Sequence, residues 1–315
     1  MEGRVQEPAD TAWHAQHRKW RHLLDACGQK PSRRRVHALR VVTLRLLSIQ
    51  VEPGDATMKS PGARTARRWT KQAGRLRHVL GDVRELDVYR SRLASLRSSL
   101  EGPDAVHQHL SQEILRQMDK LDGRLKQRRR KAEKKLSAWI ADELPQLCEI
   151  SAALETATHM KHGKSSGQSV AVGIAALTED FPEPEASNLH ELRKRAKVVR
   201  YVAEASGAKD PWTRKVVHML RAMQVLVGTW HDWDALAQEA RRMMPGRSAH
   251  THLIPLLDEV AAEWLHKATG GCKRALVQLE ELAQSMRAAP AQPKGRRMPV
   301  RGAESAHSGV GLQRA

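Results

Sequence analysis

The chain has 315 residues, enough to bury a sizeable core in one large domain or two small ones. Its 54 Lys and Arg exceed its 35 Asp and Glu, and the net charge of +19 should attract polyanions over a range set by ionic strength. With eight Trp, two Tyr and one Phe, few rings can stack on bases, which weighs against single-strand nucleic-acid binding.

The compartment is predicted from the cysteines and the apolar runs. Three widely spaced cysteines without a CxxC pair indicate a reducing compartment. Residues 1–10 lack the apolar core of a signal peptide, and the longest apolar candidate, Val170 to Leu177, is too short to cross a bilayer. We therefore expect a cytoplasmic protein in which residues 1–10 and the Gly-, Pro- and Arg-rich tail 290–315 are disordered.

The first two predicted helices are basic. The first covers Thr11 to Ala26, and the second begins after Pro31 and carries His37 and Arg40 three residues apart. The second helix also opens with three consecutive arginines, which oppose the helix dipole in its first turn. An anion held at this position is one interpretation.

A long third helix is predicted from Ala63 through Gly81 toward Leu100. Its first half carries a stripe of cations at helical spacing, formed by Arg64, Arg67, Arg68, Lys71 and Arg75. Residues 56–81 contain no Asp or Glu, whereas an ordinary solvated face mixes both signs. This pattern favours anion binding. For Asp87, farther along, we expect pairing with an arginine, although a metal site or a general base stays open.

A fourth helix is predicted from Asp104 to about Leu147, with a break near Pro145. Arg124 and Lys131 share one side of this helix, and the densest basic run, Gln127 to Lys135, contains Arg128. The pattern indicates anion binding, a solvated surface or a nonspecific nucleic-acid patch. Residues 156–187 are interpreted as a connection. Their GKSS sequence lacks the first glycine of a phosphate-binding loop and follows no strand, so we reject that interpretation.

The helix from Asn188 to Ala205 carries His190, Arg193, Lys197 and Arg200 within roughly 80° around its axis. Its leucines and alanines cluster beside this stripe, so the helix can pack while it presents cations. A further helix from Trp212 carries a second cationic side, formed by Arg214, His218 and Arg221. One or two more helices are expected between Thr251 and Met286.

The two halves of the chain look like copies. His37 and Arg40 repeat the spacing of His190 and Arg193, and residues 80–88 align with residues 227–235 so that Gly81 matches Gly228. Two matching signals in the same order predict an internal duplication. We place the first repeat at about 11–155 and the second at about 188–289.

These motifs resemble the CHAD family, the conserved histidine α-helical domain. The matching elements are a His-x-x-Arg helix, a helix ending in Leu-Gly-x-x-Arg-Glu-x-Asp, the Leu-His-x-x-Arg-x-x-x-Lys-x-x-Arg-Tyr helix and a final Gln-x-x-x-Gly-x-x-His-Asp. The resemblance covers roughly residues 11–289. In the first copy, Leu44 and Leu47 stand where the second has Lys197 and Arg200, a loss that Arg45 offsets in part.

The resemblance implies an all-α fold of two pseudo-symmetric antiparallel four-helix bundles with a basic groove or cavity between them. It further implies binding of inorganic polyphosphate without catalysis, metal or cofactor, and targeting to polyphosphate granules. The candidate contacts are Arg34, His37, Arg40, Arg45, Arg64, Arg67, Arg68, Lys71, Arg75, Arg124, Arg128, Lys131, His190, Arg193, Lys194, Lys197, Arg200, Arg214, His218 and Arg221.

Two other functions stay open. A nucleic-acid-binding helical protein would need amide side chains for base edges or aromatic platforms, and neither is evident, although weak nonspecific binding fits the charge. A metal-dependent phosphoanhydride hydrolase would need convergent carboxylates. The Glu-x-Glu-x-Lys strand motif of the tunnel enzymes that accompany this family is absent from the sequence.

Overall fold

The chain is all-α in the part that the structure, a computed structural model, describes. The described residues are 12–48, 61–101, 108–157, 167–179, 181–205, 211–245 and 252–288. The two termini expected to be disordered and the GKSS sequence lie outside these ranges.

Eight helices occupy the described residues, and none combines the length and apolar character of a membrane span. Their bounds are α1 (Ala12–Gln29), α2 (Arg33–Ser48), α3 (Pro61–Leu100), α4 (Gln108–Ala157), α5 (Gly167–Thr178), α6 (Leu189–Ala205), α7 (Pro211–Met243) and α8 (Leu253–Ala288). The prediction for α3 is confirmed at both ends. The predicted break in the fourth helix is wrong, because α4 continues through Pro145.

The first apolar core joins α1, α2, the first half of α3 and the second half of α4. Trp20, Leu39, Leu76 and Leu136 are fully buried in it. The indole Nε1 of Trp20 donates a hydrogen bond to Thr43 Oγ1 at 3.1 Å, so the one polar atom of this large ring is satisfied. The apolar phases of the predicted helices therefore face a common core, as their periodicity indicates.

A matching core in the other half joins α5, α6, the first half of α7 and the second half of α8. Leu192 and Ala196 of α6 are fully buried there. Helix α5 falls inside the segment interpreted as a connection, yet Val170 and Ile174 are buried against α6 and α8. Twelve residues of this segment thus form the fourth helix of the second bundle.

A third core lies between the two bundles and was not predicted. The second half of α3 and the first half of α4 pack there against the second half of α7 and the first half of α8. The hairpin of α3 and α4 is antiparallel, since Arg90 pairs with Asp122 at 2.8 Å while Asp82 pairs with Lys135 at 3.8 Å. Because both hairpins extend beyond their own bundles, their distal apolar faces bury one another.

Buried ion pairs hold α4 against its neighbours. Asp87, in the second half of α3, accepts a hydrogen bond from Arg129 Nε at 2.7 Å, and its side chain is 3% exposed. Arg129 also donates to the carbonyl oxygen of Pro31 at 3.1 Å and pairs with Glu133 at 2.6 Å. The expectation that Asp87 pairs with an arginine is confirmed. This arginine connects α3, α4 and the segment before α2.

Replacing Arg129 should therefore destabilise the fold. Arg129→Met leaves the carboxylate of Asp87 buried without its partner, and we expect the free energy of unfolding to fall by about 3 kcal/mol. Urea-induced unfolding, followed by circular dichroism, measures this loss. Arg130→Met is the matched control, because Arg130 is exposed, and it should change stability by less than about 0.5 kcal/mol. Equal stability of the two variants would contradict a structural role for the pair.

Candidate functional site

Cations from both halves of the molecule converge on Lys197. This lysine lies on α6, which contacts α2 of the other bundle. Burial, together with the charges of Arg193, Arg40, Arg200 and Arg77, lowers the pKa of Lys197 from its ordinary 10.5 to about 8. A half-buried amine surrounded by four guanidinium groups marks a site where positive charge is concentrated away from water.

We call this group of side chains the inter-bundle cluster. Its members come from α2, α3 and α6, and they are Arg40, Arg77, Arg84, Arg193, Lys197 and Arg200. Burial also lowers the pKa of Arg40 and that of Arg84, each with further lowering by neighbouring arginines. Burial is the largest cause in all three groups, so the site disfavours the charged forms of Arg40, Arg84 and Lys197.

A glycine of α3 lets Arg40 lie against the helix backbone. The Nη1 atom of Arg40 donates a hydrogen bond to the carbonyl oxygen of Arg77 at 3.1 Å. A Cβ at Gly81 would lie 3.0 Å from the same nitrogen, so a larger residue would push the guanidinium away. The absence of a side chain at Gly81 therefore fixes where the charge of Arg40 sits.

The second half repeats this arrangement. The guanidinium of Arg193 lies over Gly228 of α7, and a Cβ at that glycine would lie 3.5 Å from its Nη2 atom. Arg40 and Arg193 are matched in the sequence, and so are Gly81 and Gly228. Two arginines, one from each bundle, are thus seated on glycines at the junction of the bundles.

Tyr201 and Glu204 hold the end of the α6 stripe. The ring of Tyr201 lies 4.8 Å from Arg200 Cζ and 5.7 Å from Lys197 Nζ, so both cations contact one aromatic face. Glu204 lies 3.6 Å from Arg200 Nε and pairs with Arg221 at 2.8 Å. The two α6 cations are therefore oriented before any ligand arrives.

Two buried donor atoms at this junction have no hydrogen-bond partner among the described residues. One is Nε of Arg200, whose distance to Glu204 is too long for a hydrogen bond, and the other is Nε2 of Gln224. Gln224 precedes Gly228 by one turn of α7 and so shares its face. Buried donors without acceptors suit a ligand that offers oxygen atoms.

The two motif histidines lie at the edges of the cluster. Both His37 and His190 are exposed, so neither is a core side chain. Partial burial lowers the pKa of His37, with further lowering by Arg84 and Arg40. Partial burial likewise lowers the pKa of His190, whose ring centroid lies 5.9 Å from that of His231. Both rings can donate through a nitrogen to an anion at the cluster.

Two carboxylates of α7 are engaged in pairing, whereas Glu85 of α3 acts on Arg40 and raises its pKa against the lowering by burial. Asp232 of α7 accepts a hydrogen bond from Arg92 of α3 at 2.9 Å, and Arg92 also donates to Thr229 at 3.3 Å. Asp234 accepts from Gln238 at 2.8 Å. Across the described residues, no three His, Cys, Asp or Glu side chains are grouped so that they could hold a metal ion.

The other predicted contacts lie outside the cluster. On α3, the predicted stripe lies about 80° to 180° around the axis from Arg77 and is exposed. Arg128 pairs with Glu239, Lys194 lies 3.6 Å from Glu191, and Arg221 pairs with Glu204. The remaining predicted side chains are exposed elsewhere on α2, α4 and α7, and they are Arg34, Arg45, Arg124, Lys131, Arg214 and His218.

Sequence reasoning left Arg77 and Arg84 out of the site. Both lie within about 60° of Gly81 around α3, on the face that meets α2. They bring charge to the first half, where Leu44 and Leu47 replace the cations of the second copy. The glycine matched between the two copies was the signal that could have identified this face.

Comparison with known proteins places this geometry in a family. The CHAD domain model matches residues 11–241, which is well over half of the chain and includes all six members of the inter-bundle cluster. No curated protein matches the sequence significantly. The match ends within α7, but α8 packs on α7 and contributes to two of the three cores. The all-helical chain, with its two His-x-x-Arg helices meeting between the bundles, belongs to the CHAD domain family.

Proposed function

We propose that the protein binds inorganic polyphosphate at the inter-bundle cluster and does not transform it. Family membership supports a polyphosphate-related function, and the crowding of cations around Lys197 is the observation that carries the proposal. A polymer of phosphate units supplies a row of negative oxygens that can neutralise several neighbouring cations at once. Binding of this kind would direct the protein to polyphosphate granules.

The cations of the unbound protein raise the free energy of its folded state, which favours binding of a polyanion. Arginines that repel one another and are partly desolvated raise the free energy of the folded state. A bound polyanion removes the repulsion and satisfies the unpartnered donors of Arg200 and Gln224. One terminal phosphate could contact only part of a cluster built from three helices, whereas a linear polymer can extend from Arg40 to Arg200.

The chemistry of the junction favours polyphosphate over nucleic acid. The ring nearest the cluster, that of Tyr201, already lies against Lys197 and Arg200 and so is not a free platform for a base. The cluster is composed of arginines and a lysine, which contact phosphate oxygens without distinguishing bases. Competition at equal phosphate concentration separates these ligands.

The direct test is binding to immobilised polyphosphate over a salt series, with duplex DNA and RNA as competitors. We expect the affinity for polyphosphate to fall steeply with salt, and we expect nucleic acid to compete poorly. Displacement by DNA or RNA at equal phosphate concentration would overturn the assignment. Release of orthophosphate in the presence of magnesium or manganese would overturn the noncatalytic part.

Loss of the α6 cations should abolish retention. We expect the triple change of Arg193, Lys197 and Arg200 to Ala to weaken binding by about a hundredfold or more while helicity persists in circular dichroism. The matched control changes Lys267, Lys273 and Arg274 to Ala, because these exposed cations of α8 carry the same total charge. The control should bind within about threefold of the unchanged protein. Equal weakening in both variants would mean that net charge alone governs binding.

A single change at Lys197 should move stability and affinity in opposite directions. Lys197→Met keeps the bulk of the side chain and removes a repelled charge, so we expect stability to rise by about 1 kcal/mol. The same change removes a ligand contact and should lower the affinity for polyphosphate by about tenfold. Lys273→Met, at an exposed lysine paired with Glu183, should produce neither effect. A loss of both stability and affinity in Lys197→Met would contradict a repulsive cluster.

The pH dependence of binding follows from the same lysine. Below about pH 8, Lys197 is charged in the free and bound protein alike, so this group adds no pH dependence. Above that value, the free protein loses a proton that the bound polyanion would retain, so affinity falls by up to about tenfold per pH unit. Between about pH 8 and 10.5, the unfolded chain keeps a proton on Lys197 that the folded free protein has lost. The free energy of unfolding of the free protein therefore rises with pH over this range.

Calorimetry of polyphosphate binding at about pH 7, 8 and 9, in pairs of buffers that differ in ionisation enthalpy, measures both the affinity and the proton uptake. We expect uptake to be small at pH 7, about half a proton at pH 8 and nearly one proton at pH 9. The Lys197→Met variant should lose most of this dependence. If the variant shows the same proton uptake as the unchanged protein, the source is another group.

A further inference from the structure

Helix α4 carries a second group of cations whose charges are not balanced by neighbours. Lys120, Arg124, Lys131 and Lys134 are all exposed. Within the described residues, none of the four makes a hydrogen bond or an ion pair. We call them the α4 face. They succeed one another at steps of four, seven and three residues, which places them within about 80° around the helix axis and over a length of about 21 Å.

Most neighbouring cations of α4, by contrast, have carboxylate partners. Arg116 pairs with Glu113 at 3.2 Å, and Lys126 pairs with Asp122 at 2.8 Å. Arg128, Arg129 and Lys135 also pair with carboxylates, on α7, α3 or α4 itself. Arg116 shares the angular range of the four but is held by Glu113 in its own helix, and the other paired residues lie beside or opposite the four. Acidic residues are thus available along α4, yet none of those described neutralises the α4 face.

The α4 face points away from the inter-bundle cluster. Arg129 marks the inner side of α4, because it reaches Asp87 and the carbonyl oxygen of Pro31. The four cations lie about 140° to 180° around the axis from Arg129. Since a helix with its side chains is about 10 to 12 Å wide, a straight anion held by the cluster cannot also contact this face. The protein therefore has two separate cationic surfaces.

We propose that the α4 face binds a second molecule of polyphosphate, so that one protein molecule bridges two polymer chains. This inference rests on the function proposed for the inter-bundle cluster. The face contains no aromatic side chain between Lys120 and Lys134, so it has no platform for bases. Its four cations recur along one side of the helix, which suits the backbone of a flexible anionic polymer.

Bridging has a physical consequence that single-site binding lacks. One short stretch of polymer cannot reach both sites, because they lie on opposite sides of a helix. Long polymers therefore become linked to one another through the protein. Linking depends on the ratio of protein to polymer: it rises as protein is added, and it falls when excess protein occupies every polymer singly. A protein with one site produces neither the rise nor the fall.

The test uses two pools of long-chain polyphosphate that carry different fluorophores at their ends. Fluorescence cross-correlation reports whether two polymers diffuse together, and the slower diffusion of each colour reports binding in the same sample. For the unchanged full-length protein, we expect cross-correlation that peaks at an intermediate protein concentration. Changing Lys120, Arg124, Lys131 and Lys134 together to Gln should lower the peak by about tenfold while slow diffusion persists.

The matched control changes Lys126, Arg241, Lys267 and Lys273 to Gln, because these exposed residues carry the same total charge, lie away from the α4 face and are each already paired with a carboxylate. This control should keep at least about half of the cross-correlation. Circular dichroism and thermal melting of both variants establish that the fold is intact.

The outcomes separate the two proposals. If the protein leaves the diffusion of both labelled polyphosphate pools unchanged, the proposed function itself fails. If the protein slows the polymers without cross-correlation, or if the α4-face variant bridges as well as the unchanged protein, polyphosphate binding stands and the α4 face is not a bridge. Equal loss in the control variant would also overturn the bridge, because net charge would then explain it. Preferential bridging to labelled RNA in a mixed pool would overturn the choice of polyphosphate.

Discussion

Mutual repulsion among half-buried cations is the constraint on which the rest of this structure depends. Arg40 and Lys197 come from opposite bundles, and burial together with the charges of neighbouring arginines lowers the pKa of each. Such a cluster cannot hold itself together, because its members would separate if the helices were free to move. Three apolar cores and the buried pair of Asp87 and Arg129 supply the rigidity that keeps these charges close.

The central core explains how two bundles can share one site. Helices α3 and α4 extend beyond the first bundle, α7 and α8 extend beyond the second, and their distal halves pack together. This packing brings α2 against α6 and α3 against α7, so that Arg40 and Arg193 meet while each rests on a glycine. The fold thus places one cationic helix from each half at a common junction, which is the geometry that the proposed binding of a polymeric anion requires.

Much of this organisation could be predicted from the sequence, because it depends on local periodicity. The phases of Leu192 and Ala196 identified the buried side of α6, and the spacing of Arg193, Lys197 and Arg200 identified its cationic side. What could not be predicted is which cationic face of a helix meets another helix. The prominent stripe of α3 lies on another side of the helix, whereas the less conspicuous Arg77, although exposed, lies in the cluster. That choice depends on long-range packing, as does the core formed by the distal halves of the hairpins.

The measurement that tests this account most directly is the pKa of the Lys197 amine, observed by NMR with lysine labelled at Cε. In the free protein we expect a pKa of about 8, well below the ordinary 10.5, because the amine is half-buried and lies among arginines. Saturation with polyphosphate should bring the pKa back toward or above the ordinary value. A pKa near 10.5 in the free protein, or a lowered value that polyphosphate leaves unchanged, would contradict the account.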